Sequence, residues 1–214
     1  MSIQQVLLAG GDNFTPVSRT YTGPIASGTD TVPTGATSCF IQFWSAGASG
    51  SRVAAGTNAG GGGSGGYEEA TITPASNGLT AGATFLHVLA GGGAAQNTVG
   101  NAGNAPSGSA IGVNAGMSPF TMTDGPVAQG GGTTGTGGAG AVMANTGTEP
   151  PFNGNAGTGG VISGQGGNCP NGGSGGPNSA TVQNAGGTPG GGGGAAVATS
   201  SGAGGPARVT YNYS

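Results

Sequence analysis

Few residues in this sequence could do chemistry. One histidine, His87, and two cysteines, Cys39 and Cys169, are the nitrogen and sulfur ligands on offer. A structural zinc site needs four such ligands at close spacing. No metal site is therefore expected, and the two distant cysteines read as separate thiols. His87 lies in the apolar run Thr84–Ala90, as a partly buried structural histidine would. The Gly60–Gly66 run has the texture of a phosphate loop. A Walker A loop ends in Gly-Lys-Ser/Thr, however, and the chain has no lysine. No strand-to-helix pattern surrounds the run, so the dinucleotide fingerprint fails too. Glu68 and Glu69 are adjacent, point to opposite faces of a strand, and cannot act as a paired acid and base. They are expected to solvate a sheet edge. No loop spacing supports a calcium site built on Asp12, Asp30 or Asp124. Catalytic, cofactor-binding and metal-binding residues are all expected to be none, and the protein is not expected to be an enzyme.

Charge narrows the classes further. Only 4% of residues are charged and the net charge is -3, with Arg19, Arg52 and Arg208 as the cations. Nucleic-acid backbones need clustered Lys and Arg, and so does a polybasic membrane anchor. No apolar stretch reaches the length of a membrane-spanning helix, so neither nucleic-acid binding nor membrane insertion is expected. The start, Met1 to Gly10, lacks a basic region and a long apolar core, and reads as no signal peptide.

Strands must position whatever site exists. Ser38–Ser45 alternates Cys39, Ile41 and Phe43 against Phe40, Gln42 and Trp44. Both faces are apolar, so burial on both sides is expected, with Trp44 in a core rather than stacking on a sugar. Further strands are expected at Tyr67–Thr73, Thr84–Ala90 and Pro206–Tyr213, and weaker ones at Val6–Ala9 and Phe14–Tyr21. A loop is expected from Ala46 to Gly66.

Glycine sets the rest. The chain has 54 Gly and 13 Pro among 214 residues, a content that usually marks disorder. Disordered chains are also highly charged and poor in aromatic and β-branched residues, and this one is neither. Of the glycines, 38 lie between residues 91 and 205. Gly154, Gly157 and Gly160 share a three-residue phase, as do Gly164, Gly167, Gly173 and Gly176 after a slip. Collagen needs an unbroken period and is excluded. The local period suits polyproline-II-type strands packed backbone to backbone. The expected fold is all-β without substantial helix. A small β-sandwich from residues 1–90, completed by 206–214, would carry an inserted polyglycine-II-like bundle at 91–205.

Two richer stretches interrupt the glycine region, at 111–128 and 142–153. Met117, Phe120, Met122 and Phe152 are the candidates there for contact with a receptor or a neighbouring subunit. The alternative is a hydrophobic plug sealing the bundle end.

The order of these parts resembles a known family. It runs from Val32-Pro33-Thr34-Gly35-Ala36-Thr37 through Trp44, Gly60–Gly66 and Tyr67 to Val88-Leu89-Ala90-Gly91-Gly92-Gly93. It closes on Gly204-Gly205-Pro206-Ala207-Arg208-Val209-Thr210-Tyr211. This pattern resembles the glycine-rich domain of phage tail-fibre and virion proteins over about residues 29–95 and 186–213. Ser45 and Ala46 depart from it, where the family more often continues with glycine after the Trp. The central region is similar to phage fibre-tip adhesins with a distal polyglycine-II bundle. The resemblance implies a virion protein, made in the host cytoplasm, whose glycine scaffold presents host-binding loops. It implies other virion proteins and a host cell-surface receptor as partners. It also implies a homo-oligomer, since phage fibres are often trimeric. A capsid fibre or decoration protein without a receptor role stays open, as does an ice-binding or surface-filament glycine-rich protein.

Overall fold

The computed structural model describes residues 14–115, 117–145, 151–160, 163–179, 184–197 and 200–214. The expected strand at Val6–Ala9, along with Asp12 and Glu149, lies outside them. Two antiparallel sheets face each other, and a short two-stranded ladder in the glycine region pairs β4 at Ala59–Gly60 with β10 at Gly159–Gly160. The first has the order β1-β11-β3-β5, with β1 at Val17–Thr22, β3 at Cys39–Trp44, β5 at Tyr67–Ile72 and β11 at Arg208–Tyr213. The second has the order β2-β6-β7-β8-β9, with β2 at Ile25–Thr31, β6 at Thr84–Leu89, β7 at Ala110–Ala115, β8 at Thr121–Asp124 and β9 at Met143–Asn145. Among the described residues helix is confined to one turn, α1 at Pro74–Asn77, capped by Thr73 and stopped by Gly78 in the left-handed region at φ 68°.

The core lies between the sheets, as period-two alternation dictates. Ile41, Phe43, Val209, Tyr211 and Tyr213 from the first sheet meet Phe85, Leu89, Ile111, Met122 and Met143 from the second. Phe85 stacks on Tyr211 with ring centroids 5.1 Å apart. One side of the sandwich closes on a polar knot. Asp30 is buried, and its carboxylate accepts from Tyr213 at 2.6 Å, Tyr21 at 3.0 Å and Arg19 at 2.8 Å. Three donors keep this carboxylate satisfied away from water, as a buried charge requires. The outward face of β3 is only half covered, since Phe40 and Gln42 keep some exposure. The two-sided burial expected there holds on the inner face and at Trp44.

Among the described residues the bundle is built from the extended segments 45–53, 58–67, 90–96, 101–105, 126–133, 136–143, 152–160, 163–169, 173–178, 184–188, 190–197 and 201–207. Their hydrogen bonds step by three. In segment 45–53, the amides of Ser45, Ala48 and Ser51 donate to the carbonyls of Gly66, Gly63 and Gly60 at 2.9–3.0 Å. Gly47 and Gly50 donate to Gly205 and Gly202, and Ser49 and Arg52 to Asn104 and Asn101. In segment 58–67, Gly61, Ser64 and Tyr67 donate to Thr158, Asn155 and Phe152. Gly60 and Gly63 donate to Gly132 and Gln129, and Gly62 and Gly65 to Gly193 and Gly190. A helix with three residues per turn points successive amides at three different neighbours and returns to the first after three residues. That is the signature of packed polyglycine-II helices.

The Ala46–Gly66 stretch, expected to be a loop, therefore forms two of the most enclosed rods in the bundle. The two parts also interleave along the chain. The stretch 91–205 supplies β7, β8 and β9 to the sandwich, while the bundle takes 45–66 from the strand-rich part.

Glycine is required because the rods approach backbone to backbone. A Cβ on Gly61 would lie 1.9 Å from the Gln165 carbonyl oxygen, and one on Gly92 1.8 Å from that of Gly204. Gly56 sits in a turn at φ +82° with open space around it. Gly61→Ala is expected to cost more than about 4 kcal/mol and Gly56→Ala only about 1–2 kcal/mol, from its left-handed backbone. Urea unfolding of the two variants beside the wild type checks this.

Candidate recognition surfaces

Successive bundle segments run in opposite directions. Segment 45–53 leaves the sandwich after β3, and segment 58–67 returns to it at β5. The same alternation carries through to segment 201–207, which leads into β11. The turns at 54–57, 97–100 and 133–135 consequently gather at the end remote from the sandwich. The segment ends at Gly160, Ser163, Pro177, Asn184, Val197 and Ser201 lie at that same end.

These turns are built locally. Thr57 closes the first, its amide and hydroxyl donating to the Ala54 carbonyl at 3.3 and 2.7 Å. Gly100 and Gly135 take positive φ, at 85° and 82°, a conformation that glycine adopts without steric cost. The Arg52 guanidinium donates to the Asn97 carbonyl, the Gly100 amide donates to the Arg52 carbonyl at 2.9 Å, and the Gln96 amide donates to the Ser201 hydroxyl at 2.8 Å. Thr57, Asn58, Asn97, Thr98, Val99 and Thr134 face solvent. Arg52 is the one charged residue in these described turns and segment ends. The tip thus offers amides, hydroxyls and small apolar groups on a frame held by backbone hydrogen bonds.

The four contact candidates do not converge. Phe120 is 3% exposed and Met122 0%, and both pack into the core between the sheets. That corrects the expectation of a contact role for them: their stretch is the β7–β8 hairpin, and its alternation turns both side chains inward. Met117 is half-buried against the same core. With Pro119 and Phe120 it borders a shallow depression beside Gly112 and Val113, at the sandwich end away from the bundle. Phe152 sits at the sandwich–bundle junction and is 51% exposed. Its backbone pairs with Tyr67 at 2.8 and 2.9 Å, and its ring lies 6.1 Å from the Tyr67 ring. No plug of these four residues forms at the bundle end.

A second surface went unnoticed in the sequence. The outward face of the second sheet carries Leu86 and Val88, 37% and 41% exposed, beside Ala110, Gly112, Thr121 and Thr123. None of these residues is charged. The alternation of Leu86 and Val88 against Phe85, His87 and Leu89 was the available signal.

The other singled-out residues serve structure. His87 is buried, with Nδ1 3.3 Å from the Tyr211 hydroxyl and its ring 4.5 Å from that of Tyr21. It packs so closely on β2 that a Cβ at Gly28 would lie 2.3 Å from its Nε2. Burial lowers its pKa. Both cysteines are free and buried, and burial pushes each thiol up to about 12. Trp44 donates through Nε1 to the Asn171 carbonyl at 3.0 Å and packs on Tyr67. Glu69 faces outward and accepts a hydrogen bond from the Tyr67 hydroxyl. Glu68 is fully buried on the inner face instead of solvating the edge. Burial pushes the Asp124 carboxyl up to about 6.

No helix among the described residues is long and apolar enough to cross a membrane. No protein-family model matches the chain, and no curated protein matches it.

Phe120→Ser is expected to cost about 3–5 kcal/mol, as removal of a core aromatic does. Phe152→Ser is expected to cost under about 1 kcal/mol, since its ring is half in water already. Chemical denaturation distinguishes the two. His87, whose folded pKa lies below its unfolded value of about 6.5, binds its proton more readily when unfolded. Its contribution to stability is present above that value and lost as pH falls below it. The fall in melting temperature between pH 7 and 5 should therefore be smaller in His87→Gln than in wild type, which a melting series across that range checks.

Proposed function

We propose that this protein is a structural component of a phage virion, a tail-fibre tip that meets the host surface through the free end of its glycine bundle. The observation carrying this reading is the gathering of the bundle turns at one end of a scaffold fastened at the other end to a sandwich. Loops held by a rigid frame are where recognition is commonly placed, and backbone packing gives a frame whose stability does not depend on loop sequence. Binding and mechanical display need no catalytic constellation, in keeping with the sparse chemistry of this chain. The uncharged outer face around Leu86 and Val88 suits contact with a sister copy or another virion protein. A homo-oligomer, trimeric as in many fibres, is part of the proposal, as is location in the virion.

Particle purification followed by peptide mass spectrometry and antibody labelling tests the reading. The chain is expected on the particle, at the tail end. Label over the capsid would favour a capsid fibre or decoration protein, and absence from particles would overturn the proposal. Thr98→Trp and Val99→Trp, at exposed tip positions, should weaken cell binding by about tenfold, a loss of about 1.4 kcal/mol, with the melting temperature unchanged.

A further inference from the structure

Among the described residues the bundle carries one charge, and it sits at the free end. Arg52 is the second-last residue of segment 45–53 and is partly exposed. Every described carboxylate belongs to the sandwich: Asp30 to β2, Glu68 and Glu69 to β5, and Asp124 to β8. Glu68 and Asp124 stand nearest the bundle, eight residues along the chain from Gly60 and Gly132. Those two glycines lie beside the Arg52 end of its rod. The Ser51 amide donates to the Gly60 carbonyl at 3.0 Å, and the Gly60 amide to the Gly132 carbonyl at 3.0 Å. At about 3.1 Å per residue the two carboxylates are about 25 Å away. Physiological salt screens exposed charges beyond about 8 Å. The Arg52 cation therefore has no counter-charge among the described residues, and the net negative charge of the chain does not reach the tip.

The other two arginines have carboxylates at hand. Arg19 pairs with Asp30 at 2.8 Å. Arg208 shares the outward face of the first sheet with Glu69: Arg208 pairs with Trp44, Trp44 with Tyr67, and Glu69 follows Tyr67 on that face. Arg52 is also held in place. Its amide donates to the Asn101 carbonyl at 3.1 Å, and its carbonyl accepts from the Gly100 amide at 2.9 Å. The guanidinium donates through one terminal nitrogen to the Asn97 carbonyl, which is neutral. Its Nε is buried with no hydrogen-bond partner, so part of its hydration is already lost. A guanidinium has five N–H donors, and a single carbonyl leaves its charge unanswered. Asn58, Asn97, Thr98 and Asn101 are exposed around it.

We propose that the bundle tip takes an acidic polysaccharide, with Arg52 gripping a sugar carboxylate or phosphate while the amides and hydroxyls around it take sugar hydroxyls. The proposal rests on the tip being the host-facing end. A planar guanidinium matches an oxyanion through parallel N–H···O bonds. The clamped backbone of Arg52 leaves little freedom to lose on binding. A neutral sugar would be served by the exposed amides and hydroxyls alone and gives a lone cation no role. Nucleic acid or an anionic membrane would call for clustered basic residues, which the described tip lacks. A polysaccharide repeats its anionic group along one strand, so one cation per tip, multiplied over neighbouring copies, gains by avidity.

The test titrates the purified full chain with polygalacturonate and polyphosphate, as carboxylate and phosphate probes, and with neutral dextran. At least one polyanion is expected to bind, the tighter of the two naming the anion, and to weaken several-fold as salt rises from about 50 to about 300 mM. Dextran should bind far more weakly and without salt dependence. Arg52→Gln, which keeps a donor for the Asn97 carbonyl, should weaken polyanion binding by about tenfold and remove its salt dependence, with the melting temperature unchanged. Asn101→Asp, opposite Arg52 in an antiparallel bridge, should do the same by supplying a counter-charge, and it reads the site even if Arg52→Gln does not fold. Equal affinity for dextran and the polyanions overturns the proposal, as does no binding of either polyanion. So does salt-sensitive binding that survives in both variants, as it would if Arg52 only clasped the 97–100 turn. These outcomes leave the virion reading standing, which fails separately if the chain is absent from particles.

Discussion

Everything in this molecule follows from how closely two backbones can approach when neither carries a side chain. An added Cβ at most bundle glycines would sit about 2 Å from a carbonyl oxygen of the next rod. At that spacing each amide reaches a carbonyl directly, and the interior is filled by peptide groups. Glycine loses the most chain entropy on folding, and side-chain burial cannot offset that here. The compensation is the dense network of backbone hydrogen bonds between rods, each bond contributing about 0.5–1.5 kcal/mol net.

The sandwich supplies what the bundle lacks. Its interior of Phe, Tyr, Ile, Leu and Met is an ordinary apolar core, and its strands fix where the rods begin and end. β3 runs on into segment 45–53, segment 58–67 runs on into β5, and segment 201–207 runs on into β11. Rod neighbours are distant in sequence: Gly47 donates to Gly205, and Gly193 to Ala48. Such pairings carry large loop-closure costs before any contact forms. An early sandwich that brings β3, β5 and β11 together would shorten those closures.

The strands were legible because period-two alternation survives in Cys39–Trp44, Tyr67–Ile72, Thr84–Leu89 and Arg208–Tyr213 to within a residue or two. The three-residue phase of Gly154 and Gly157 was legible too, and the structure gives its cause. Both face the 58–67 rod, approaching the carbonyls of Ser64 and Gly61. A rod touched mainly on one side needs small residues only every third position. The enclosed rods at 45–53 and 58–67 hid for the complementary reason. Neighbours on three sides demand a small residue at every position, so Gly60–Gly63 shows no phase and reads as a loop. Phe120 and Met122 were misplaced because glycine on either side drew attention from the Ile111, Val113 and Phe120, Met122 alternation. Inward Glu68 had no signal, since its neighbour Glu69 has the same composition and the opposite environment.

The crowding around the rods has a genetic consequence. Every glycine codon begins with two guanines, and any substitution of either one removes glycine. A large fraction of this gene is therefore intolerant to point change, with alanine or serine the mildest outcome and still too large at sites such as Gly61. Only third-base changes pass silently through the rods. The exposed turn positions Asn97, Thr98, Val99 and Thr134 carry no such limit and are free to drift. Variation in descendants of this gene would collect as islands about twenty to forty residues apart, separated by nearly frozen glycine tracts, so that the tip would diversify while its support stayed fixed.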